Sequence, residues 1–408
     1  MLIRHRVNCR PNAVRSLAAR SRRRLPGAER LLAKSDLCTM VRVTTVRTRR
    51  DFSEYIEVPY CIYRASPYWV PPLKISIRRQ LSFARQSGGE ITPEHFLAHD
   101  SAGRCVGRIA AAFHKPYVER YGPIGFFGFF ECEENAAAAT ALLGAAEEWA
   151  RQHGMKELAG PYSYTTSQDV GMLIEGYDKP PSFLQPYHPR YYREFIEQAG
   201  YRQKFTTSAF YINRTENGKF STFLASRAEK VRSKISLTVR FPDSNRYESD
   251  MELIRGLLNR SFANHPDSIP VSHGLFRFIA SDLRRLIRPD LVQIIEQNGS
   301  AVAFLVMFPD IGAVLCRCRG SLFRYILSQR EVRRIRSLIV VMMGAAPEAA
   351  GLGIGRCISG RIADMVIQGN FEEVYTTRVH EDNGLCRALL TSIGAAEHKR
   401  YAVFTKEL

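Results

Sequence analysis

The sequence of 408 residues lacks the paired cysteines that a structural zinc site would need. Its nine cysteines are scattered, no C-x-x-C pair occurs, and Cys316-x-Cys318 is spaced too closely for the usual zinc ligands. It also lacks any run of about 18 uncharged apolar residues, so no membrane span is predicted. These absences favour a reduced, cytoplasmic protein without a metal site.

Acidic residues are few relative to basic ones, 40 against 58, which gives a net charge of +18. The surplus is uneven, because residues 1–39 hold nine Arg and one Lys but only Glu29 and Asp36. This stretch has no apolar periodicity and no secretory signal core. We expect residues 1–40 to be a basic, disordered segment, and the hypothesis is that residues 1–39 are absent from the native protein.

The stretch from Ser337 to Asn370 predicts a strand, a glycine turn and a helix. An apolar, β-branched run, Leu338 to Met343, is typical of a buried strand. The turn Gly351-Leu352-Gly353-Ile354-Gly355 then leads into residues with helical periodicity. Unpaired backbone N–H groups and the helix dipole would together attract an anion, so a phosphate ligand is predicted. Alternating glycines alone are a weak signal, since they also close tight turns.

The elements after the glycines identify a resemblance. A strand at 373–377, then Asn383, a short helix ending at Gly394 and a terminal strand around 401–405 follow in order. This order resembles the acyl-coenzyme A binding half of the GNAT acyltransferase superfamily. Four stretches of the first half are similar to bacterial tandem-GNAT proteins of largely unassigned function: SPYWVPPL (66–73), GRCVGRIAA (103–111), GFFGFFECE (125–133) and YHPRYYREFIEQAGY (187–201).

An internal repeat supports two copies of one unit. Residues 94–113 align with 290–309, matching Gly103 with Gly299. The predicted fold class is α/β, with two tandem GNAT-like domains, each a mixed, mostly antiparallel twisted sheet flanked by helices. The predicted boundaries are 41–213 and 235–408, joined by a linker at 214–234.

The first domain is predicted to lack the phosphate loop. Its helix at 136–152 follows Glu133-Glu134-Asn135 without a glycine turn, and carboxylates there would repel a pyrophosphate. Between Gly160 and Pro189 lies a turn-rich stretch too long for an ordinary connection. It is either a substrate-facing loop or a structural cover over the sheet.

The resemblance implies acetyl-CoA or another acyl-CoA as co-substrate, held by the second domain. The pyrophosphate would contact the glycine turn, and the thioester carbonyl would lie near a backbone N–H at the end of the preceding strand. The implied contacts are Gly344, Ala345, Ala346, Gly351, Leu352, Gly353, Ile354, Gly355, Arg356 and Asn383. The chain departs from the family pattern at Ala350, where Arg or Gln is usual, and at Leu390, where a tyrosine often serves as general acid.

Acyl transfer to an amine requires residues that accept and donate protons. A lysine-type amine has a pKa near ~10.4, so its deprotonation at pH 7 costs about 4.6 kcal/mol and needs a base or a water chain. Glu381 and His380 are the candidate bases, and their alternative interpretation is a solvated turn or a helix cap, with Asp382 as a possible N-cap. Tyr401 is a candidate acid in place of Leu390.

The predicted function is transfer of an acyl group from a thioester to a small-molecule amine. One alternative keeps the fold but takes aminoacyl groups from tRNA, as Fem-type proteins do, with the basic run at 328–336 following a phosphate backbone. Another alternative is a non-catalytic ligand-binding or interaction protein. Nucleic acid is otherwise not an expected partner.

Overall fold

The computed structural model describes residues 41–215, 226, 237–283, 288–369 and 371–408. The predicted disordered segment, residues 1–40, and most of the predicted linker at 214–234 lie outside the described residues. Val41–Leu408 form one compact unit. In the described part of the chain, no helix is long and apolar enough to cross a membrane.

The structure contains helices in both halves of the chain. Those in the described ranges are α1 (Arg49–Ile62), α2 (Lys74–Gln86), α3 (Lys115–Tyr121), α4 (Ala136–Gln152), α5 (Arg190–Gln198), α6 (Tyr247–Ser261), α7 (His273–Leu283), α8 (Gly312–Cys318), α9 (Leu322–Leu327), α10 (Gln329–Val332), α11 (Ile354–Gln368) and α12 (Gly384–Ser392).

The strands join into one sheet. They are β1 (Arg42–Thr45), β2 (Ile91–His99), β3 (Cys105–His114), β4 (Ile124–Cys132), β5 (Glu157–Gly160), β6 (Met172–Glu175), β7 (Arg202–Asn213), β8 (Leu237–Arg240), β9 (Val292–Gln297), β10 (Ser300–Pro309), β11 (Ser337–Ala345), β12 (Glu373–Thr376), β13 (Val379–His380) and β14 (Ala396–Glu407). The order across the sheet is β1-β2-β3-β4-β5-β14-β7-β12-β11-β10-β9-β8, with β6 beside β14 and β13 beside β7.

The order of elements repeats along the chain, which confirms the predicted repeat of one unit. In each unit an antiparallel hairpin leads to a long strand, a helix and a parallel strand, with β4 beside β5 and β11 beside β12. Each unit ends in a short helix and a twelve-residue strand, β7 or β14.

The final strands are exchanged between the units. The last strand of the chain, β14, lies between β5 and β7 of the first half. In turn, β7 pairs with β12 of the second half. The two halves therefore share one continuous sheet, because the last strand of each half pairs with a strand of the other half.

Two helical layers cover the sheet. On the front face, α1 and α2 pack on the first half and α6 to α9 on the second. On the back face, α4 and α5 pack on the first half and α11 and α12 on the second. Alternation along β7 illustrates the division, since Phe210 and Ile212 belong to the back core and Tyr211 contacts the front core.

Local sequence signals explain where several helices and strands begin or end. Helix α4 begins at Ala136, as predicted, because the Asn135 side chain accepts a hydrogen bond from the amide of Ala138. Asn298 and Gly299 both have positive φ, 51° and 79°, and form the tight turn between β9 and β10 that an Asn-Gly pair favours. Helix α1 begins at Arg49, because Thr48 forms a capping box with Asp51.

Candidate functional site

The glycine turn of the second half leaves a helix start without a cap. Helix α11 follows Gly353, which has φ 75° and gives no side-chain cap. The amides of Gly353, Ile354 and Gly355 donate to no acceptor among the described residues. The site fits an anion, because these N–H groups and the helix dipole are both available to it.

The side chains of the turn pack against the core and leave the space next to its amides open. Ile354 is buried in the back core and Leu352 packs against that core. Gly355 is exposed, and a Cβ at this position would meet only Leu389, at 3.8 Å. Glu348, just before the turn, is paired with Arg260 at 2.7 Å. Arg356 is exposed and forms no ion pair with a described residue, so it is available to a phosphate.

A gap opens beside the turn, between β11 and the chain after β12. The two strands are paired as far as Val340 and Thr376, and Thr377 adds two bonds, from its amide to the Val340 carbonyl and from its hydroxyl to the Val341 carbonyl at 2.8 Å. Beyond this point the second chain leaves β11 and pairs with β7 through β13. The gap is therefore lined by the end of β11 on one side and by β13 on the other.

Two backbone amides of β11 face this gap. The Ala346 amide donates to the Val302 carbonyl at 2.8 Å, and antiparallel alternation turns the Gly344 amide toward β10 as well. The same alternation points the amides of Met343 and Ala345 toward the gap. Of the predicted carbonyl contacts, Ala345 is thus the donor that the structure leaves open, and the sequence missed Met343 because it does not reveal the ladder register.

Asn383 is the N-cap of α12. Its side-chain oxygen accepts a hydrogen bond from the Cys386 amide at 3.1 Å. The predicted alternative, a cap at Asp382, is wrong, because Asp382 is exposed and its amide donates to the His380 ring. Leu390 is only 2% exposed in the back core, so this position offers no proton donor to the gap.

Three buried polar atoms without partners lie side by side on the front face. Tyr401 of β14 and His380 of β13 each pair with Thr207 of β7, so the three side chains share one face. The Tyr401 hydroxyl, the Thr207 hydroxyl and His380 Nε2 are buried and have no hydrogen-bond partner among the described residues. Buried polar groups are normally satisfied, so an unpaired cluster beside a gap indicates a ligand site.

The His380 ring is held in one orientation and is neutral. Nδ1 accepts a hydrogen bond from the Asp382 amide at 3.1 Å, which places the proton of the neutral ring on Nε2. Burial lowers the pKa of His380, and the nearby His265 ring lowers it further. In this tautomer the buried Nε2 is a hydrogen-bond donor rather than the base that the sequence predicts.

Glu381 lies on the opposite face from His380. Its carboxylate accepts a hydrogen bond from the Thr206 hydroxyl at 2.6 Å. Burial raises the pKa of Glu381, but the bonds with Thr206 outweigh burial and bring that pKa below its usual value. Alternation along β7 separates Thr206 from Thr207, so the structure groups His380 with Tyr401 and leaves Glu381 apart from them.

The long loop of the first half covers the front face of this gap. Gln185 donates to the Thr376 carbonyl at 2.9 Å, and the Phe183 amide donates to Asp310 at 2.8 Å. Arg378 donates to the carbonyls of Gln168 and Leu184, both at 3.3 Å. The stretch between Gly160 and Pro189 thus acts as a cover that also lines the site of the other half.

A positive group lies next to the unpaired cluster. The Arg378 guanidinium is 5.8 Å from the centre of the Tyr401 ring. Burial raises the pKa of Tyr401 while Arg378 lowers it, and burial dominates, so the hydroxyl keeps its proton. The cluster therefore presents neutral hydrogen-bonding groups beside a fixed cation.

The corresponding position in the first half is occupied by protein groups. The Glu133 amide bonds to the Val106 carbonyl, as that of Ala346 bonds to Val302, so Cys132 corresponds to Ala345. The Cys132 amide donates to the Tyr192 hydroxyl at 2.8 Å. The carboxylate of Glu131, the residue before Cys132, accepts hydrogen bonds from the hydroxyls of Tyr63 at 2.5 Å and Tyr192 at 3.0 Å.

A separate cluster on the first half has donor atoms typical of a metal site. Glu54, His99 and Cys105 bring one potential ligand atom each within 4.8 Å of one another. Five strands separate β3, which carries Cys105, from β11. The cluster is therefore distinct from the gap.

The sequence is similar to two bacterial proteins along most of its length. No family model matches the sequence. The chain is 29% identical over 375 residues to Protein YghO of Escherichia coli, which covers 90% of this chain and 95% of that protein. It is 24% identical over 376 residues to a bacterial ceramide synthase of Caulobacter vibrioides, covering 90% and 97%.

Solved structures show the same architecture. A tandem GNAT protein from the clavulanic acid biosynthesis pathway superposes with a TM-score of 0.53 at 12% identity, over 90% of this chain and 98% of that one. The chain therefore has the tandem GNAT fold, with two units that exchange their final strands.

Proposed function

We propose that this protein is an acyl-CoA-dependent N-acyltransferase whose second half holds the donor. The observation that carries the proposal is the uncapped glycine turn next to a gap with open amides on one side and His380 of the unpaired cluster on the other. The GNAT fold supports the reaction class, since transfer to an amine needs donor and acceptor to meet across such a gap.

The donor side uses backbone groups. The amides of Gly353, Ile354 and Gly355 would hold the phosphates, with Arg356 in place of the side chain missing at Ala350. The amides of Met343 and Ala345 would bind the thioester carbonyl oxygen and stabilise the charge that develops on it.

The acceptor side explains how an amine becomes nucleophilic. In the reaction a C–N bond forms and a C–S bond breaks, and the proton that the amine gives up passes through solvent to the departing thiolate, so coenzyme A leaves as the thiol. Burial and the Arg378 cation both disfavour a bound ammonium, so the neutral amine is the form this site would bind. Tyr401 and Thr207 would accept its N–H groups, while the Nε2–H of His380 would donate to an adjacent polar group.

The acceptor is proposed to be an amino alcohol with a long apolar chain. One relative is named a bacterial ceramide synthase, and a ceramide is the amide of such a base with a fatty acid. The cluster suits this substrate because hydroxyl and imidazole groups can bind a hydroxyl next to the amine.

The test is calorimetric titration of the full chain with acetyl-CoA and longer acyl-CoAs, followed by thiol-release assays with a long-chain amino alcohol. The decisive variant is Gly355→Glu. A carboxylate in the first turn of α11 is favourable for the helix, yet it would repel the phosphates, so we expect at least about 100-fold weaker binding with unchanged unfolding.

The matched control is Ala137→Glu. Ala137 is exposed at the same position of α4, the equivalent helix of the first half, so donor binding should not change. Equal losses in both variants would contradict the assignment of donor to the second half. Absence of binding to every acyl-CoA in the unmodified protein would overturn the proposed function.

A further inference from the structure

One helix turns large apolar side chains into solvent. In α9 the side chain of Tyr325 is buried, but Phe323, Ile326 and Leu327 are 71%, 52% and 67% exposed. These three positions follow helical spacing, so they share one face, named here the α9 patch. Isolated exposed apolar residues are ordinary, whereas three on one turn mark an interaction surface.

Exposed arginines are frequent in the chain on both sides of α9. Those exposed in the same stretch of chain are Arg317, Arg319, Arg324, Arg330, Arg333, Arg334 and Arg336. Arg317 is paired with Glu331, and Arg336 with Glu372. The other five form no ion pair with a residue that the structure describes, so their charge is not neutralised.

The start of α2 extends the same surface. The Lys74 amide donates to the Gly320 carbonyl at 3.0 Å, which brings α2 next to the turn before α9. Ile75 is 41% exposed there, and Arg78 is exposed one turn further on. The surface thus contains an apolar centre and a basic border from two separate parts of the chain.

We infer that the α9 patch docks onto the surface of an anionic lipid membrane. Apolar side chains that protrude between basic ones enter the headgroup region, while the arginines bind lipid phosphates. A nucleic-acid backbone would use the same arginines but would leave Phe323, Ile326 and Leu327 in water. The apolar centre therefore favours lipid.

This inference goes beyond acyl transfer and does not depend on it. Docking needs neither donor nor acceptor, so it can be measured without either. A membrane surface would also bring the protein to amines that carry long apolar chains.

The experiment is co-sedimentation of the full chain with vesicles of phosphatidylglycerol and phosphatidylcholine. The double variant Phe323→Ser/Leu327→Ser should lose roughly tenfold or more in affinity. In the unmodified protein both apolar side chains leave water when the patch binds the membrane, and the variant lacks this contribution. The matched control is Phe241→Ser/Leu385→Ser, since Phe241 and Leu385 are also exposed, 43% and 90%, but lie outside the patch. It should bind like the unmodified chain.

Charge is tested separately with Arg330→Gln/Arg333→Gln/Arg334→Gln. Affinity for phosphatidylglycerol vesicles should fall roughly fivefold for each arginine, with little change for pure phosphatidylcholine. Residues 1–40 are basic too, but they are present in every variant, so the differences report the patch alone.

Two results would overturn the inference. One is equal vesicle binding by the two double variants. The other is tight, salt-dependent binding of tRNA that the arginine variant loses and the apolar variant keeps, together with no vesicle binding, which would identify the surface as an RNA site.

Discussion

In the first half of the molecule, the Tyr192 hydroxyl accepts a hydrogen bond from the Cys132 amide at the end of β4. Asn135 caps the helix that follows. In the second half, the amide of Ala345 and the start of α11 have no protein partner among the described residues. One fold thus appears twice, once with these backbone amides bonded to its own side chains and once with them open. The difference teaches that a few side-chain hydrogen bonds decide whether the same backbone positions are available to a ligand.

The largest effect is expected from the open half. Tyr401→Phe should lower kcat about 100-fold, because it removes one hydroxyl from the acceptor site. Stability should not fall, since this hydroxyl has no partner within the described protein. Steady-state kinetics and urea unfolding measure the two quantities.

Tyr55→Phe is the matched control for that variant. The Tyr55 hydroxyl is also buried and unpaired, but it lies on α1 of the first half. Activity should be unchanged. A loss of kcat of similar size in both variants would mean that buried unpaired hydroxyls affect activity wherever they are.

The closed half should respond in stability. Tyr192→Phe leaves the Cys132 amide and the Glu131 carboxylate without this partner, and we expect a loss of about 2–3 kcal/mol in the free energy of unfolding. Tyr191→Phe removes a single bond, to the Cys132 carbonyl at 3.0 Å, and should cost about 1 kcal/mol. If the two variants lose the same amount in urea titrations, Tyr192 does not have the role described.

Glu131 should make the closed half sensitive to pH. Burial raises the pKa of Glu131 to about 6 against the ordinary 4.5, although Arg108 and the tyrosine hydroxyls lower it in part. A raised folded-state pKa means that its contribution is fully present below pH 4.5 and is lost as pH rises through 6.

Glu131→Gln removes this titration. Relative to the variant, the unmodified protein should lose about 2 kcal/mol of unfolding free energy between pH 4 and pH 7. Urea unfolding across this range checks it, and a constant difference between the two proteins would contradict the raised pKa.

The smallest expected effect concerns the helix cap. Asn135→Ala should destabilise the protein by about 1 kcal/mol, whereas Asn135→Gly should cost only a few tenths, because glycine is tolerated at an N-cap. Thermal unfolding distinguishes the two. Donor binding should be unchanged in both, and a change would show that the closed half also contacts the donor.

The sequence predicted the glycine turn and the repeat because both depend on local signals. Backbone geometry needs glycine at Gly353, and strand spacing is visible in 94–113 and 290–309. The unpaired cluster could not be predicted in the same way. Thr207, His380 and Tyr401 come together only through the register of three strands, and no local pattern specifies that β14 enters the first half.

The grouping of His380 with Glu381 illustrates the same limit. Adjacent residues looked like one catalytic pair, but a strand places neighbours on opposite faces. The partners of each therefore come from different layers of the molecule, and only the tertiary structure identifies them.

The exchange of final strands has a consequence for synthesis. Residues 404–407, at the very end of β14, pair with β5 at residues 157–160. Until the ribosome has made β14, the sheet of the first half is divided between β5 and β7 and each of these strands has an unpaired edge. The first half can therefore complete its sheet only after the second half has been made, through strand pairing between distant parts of the chain.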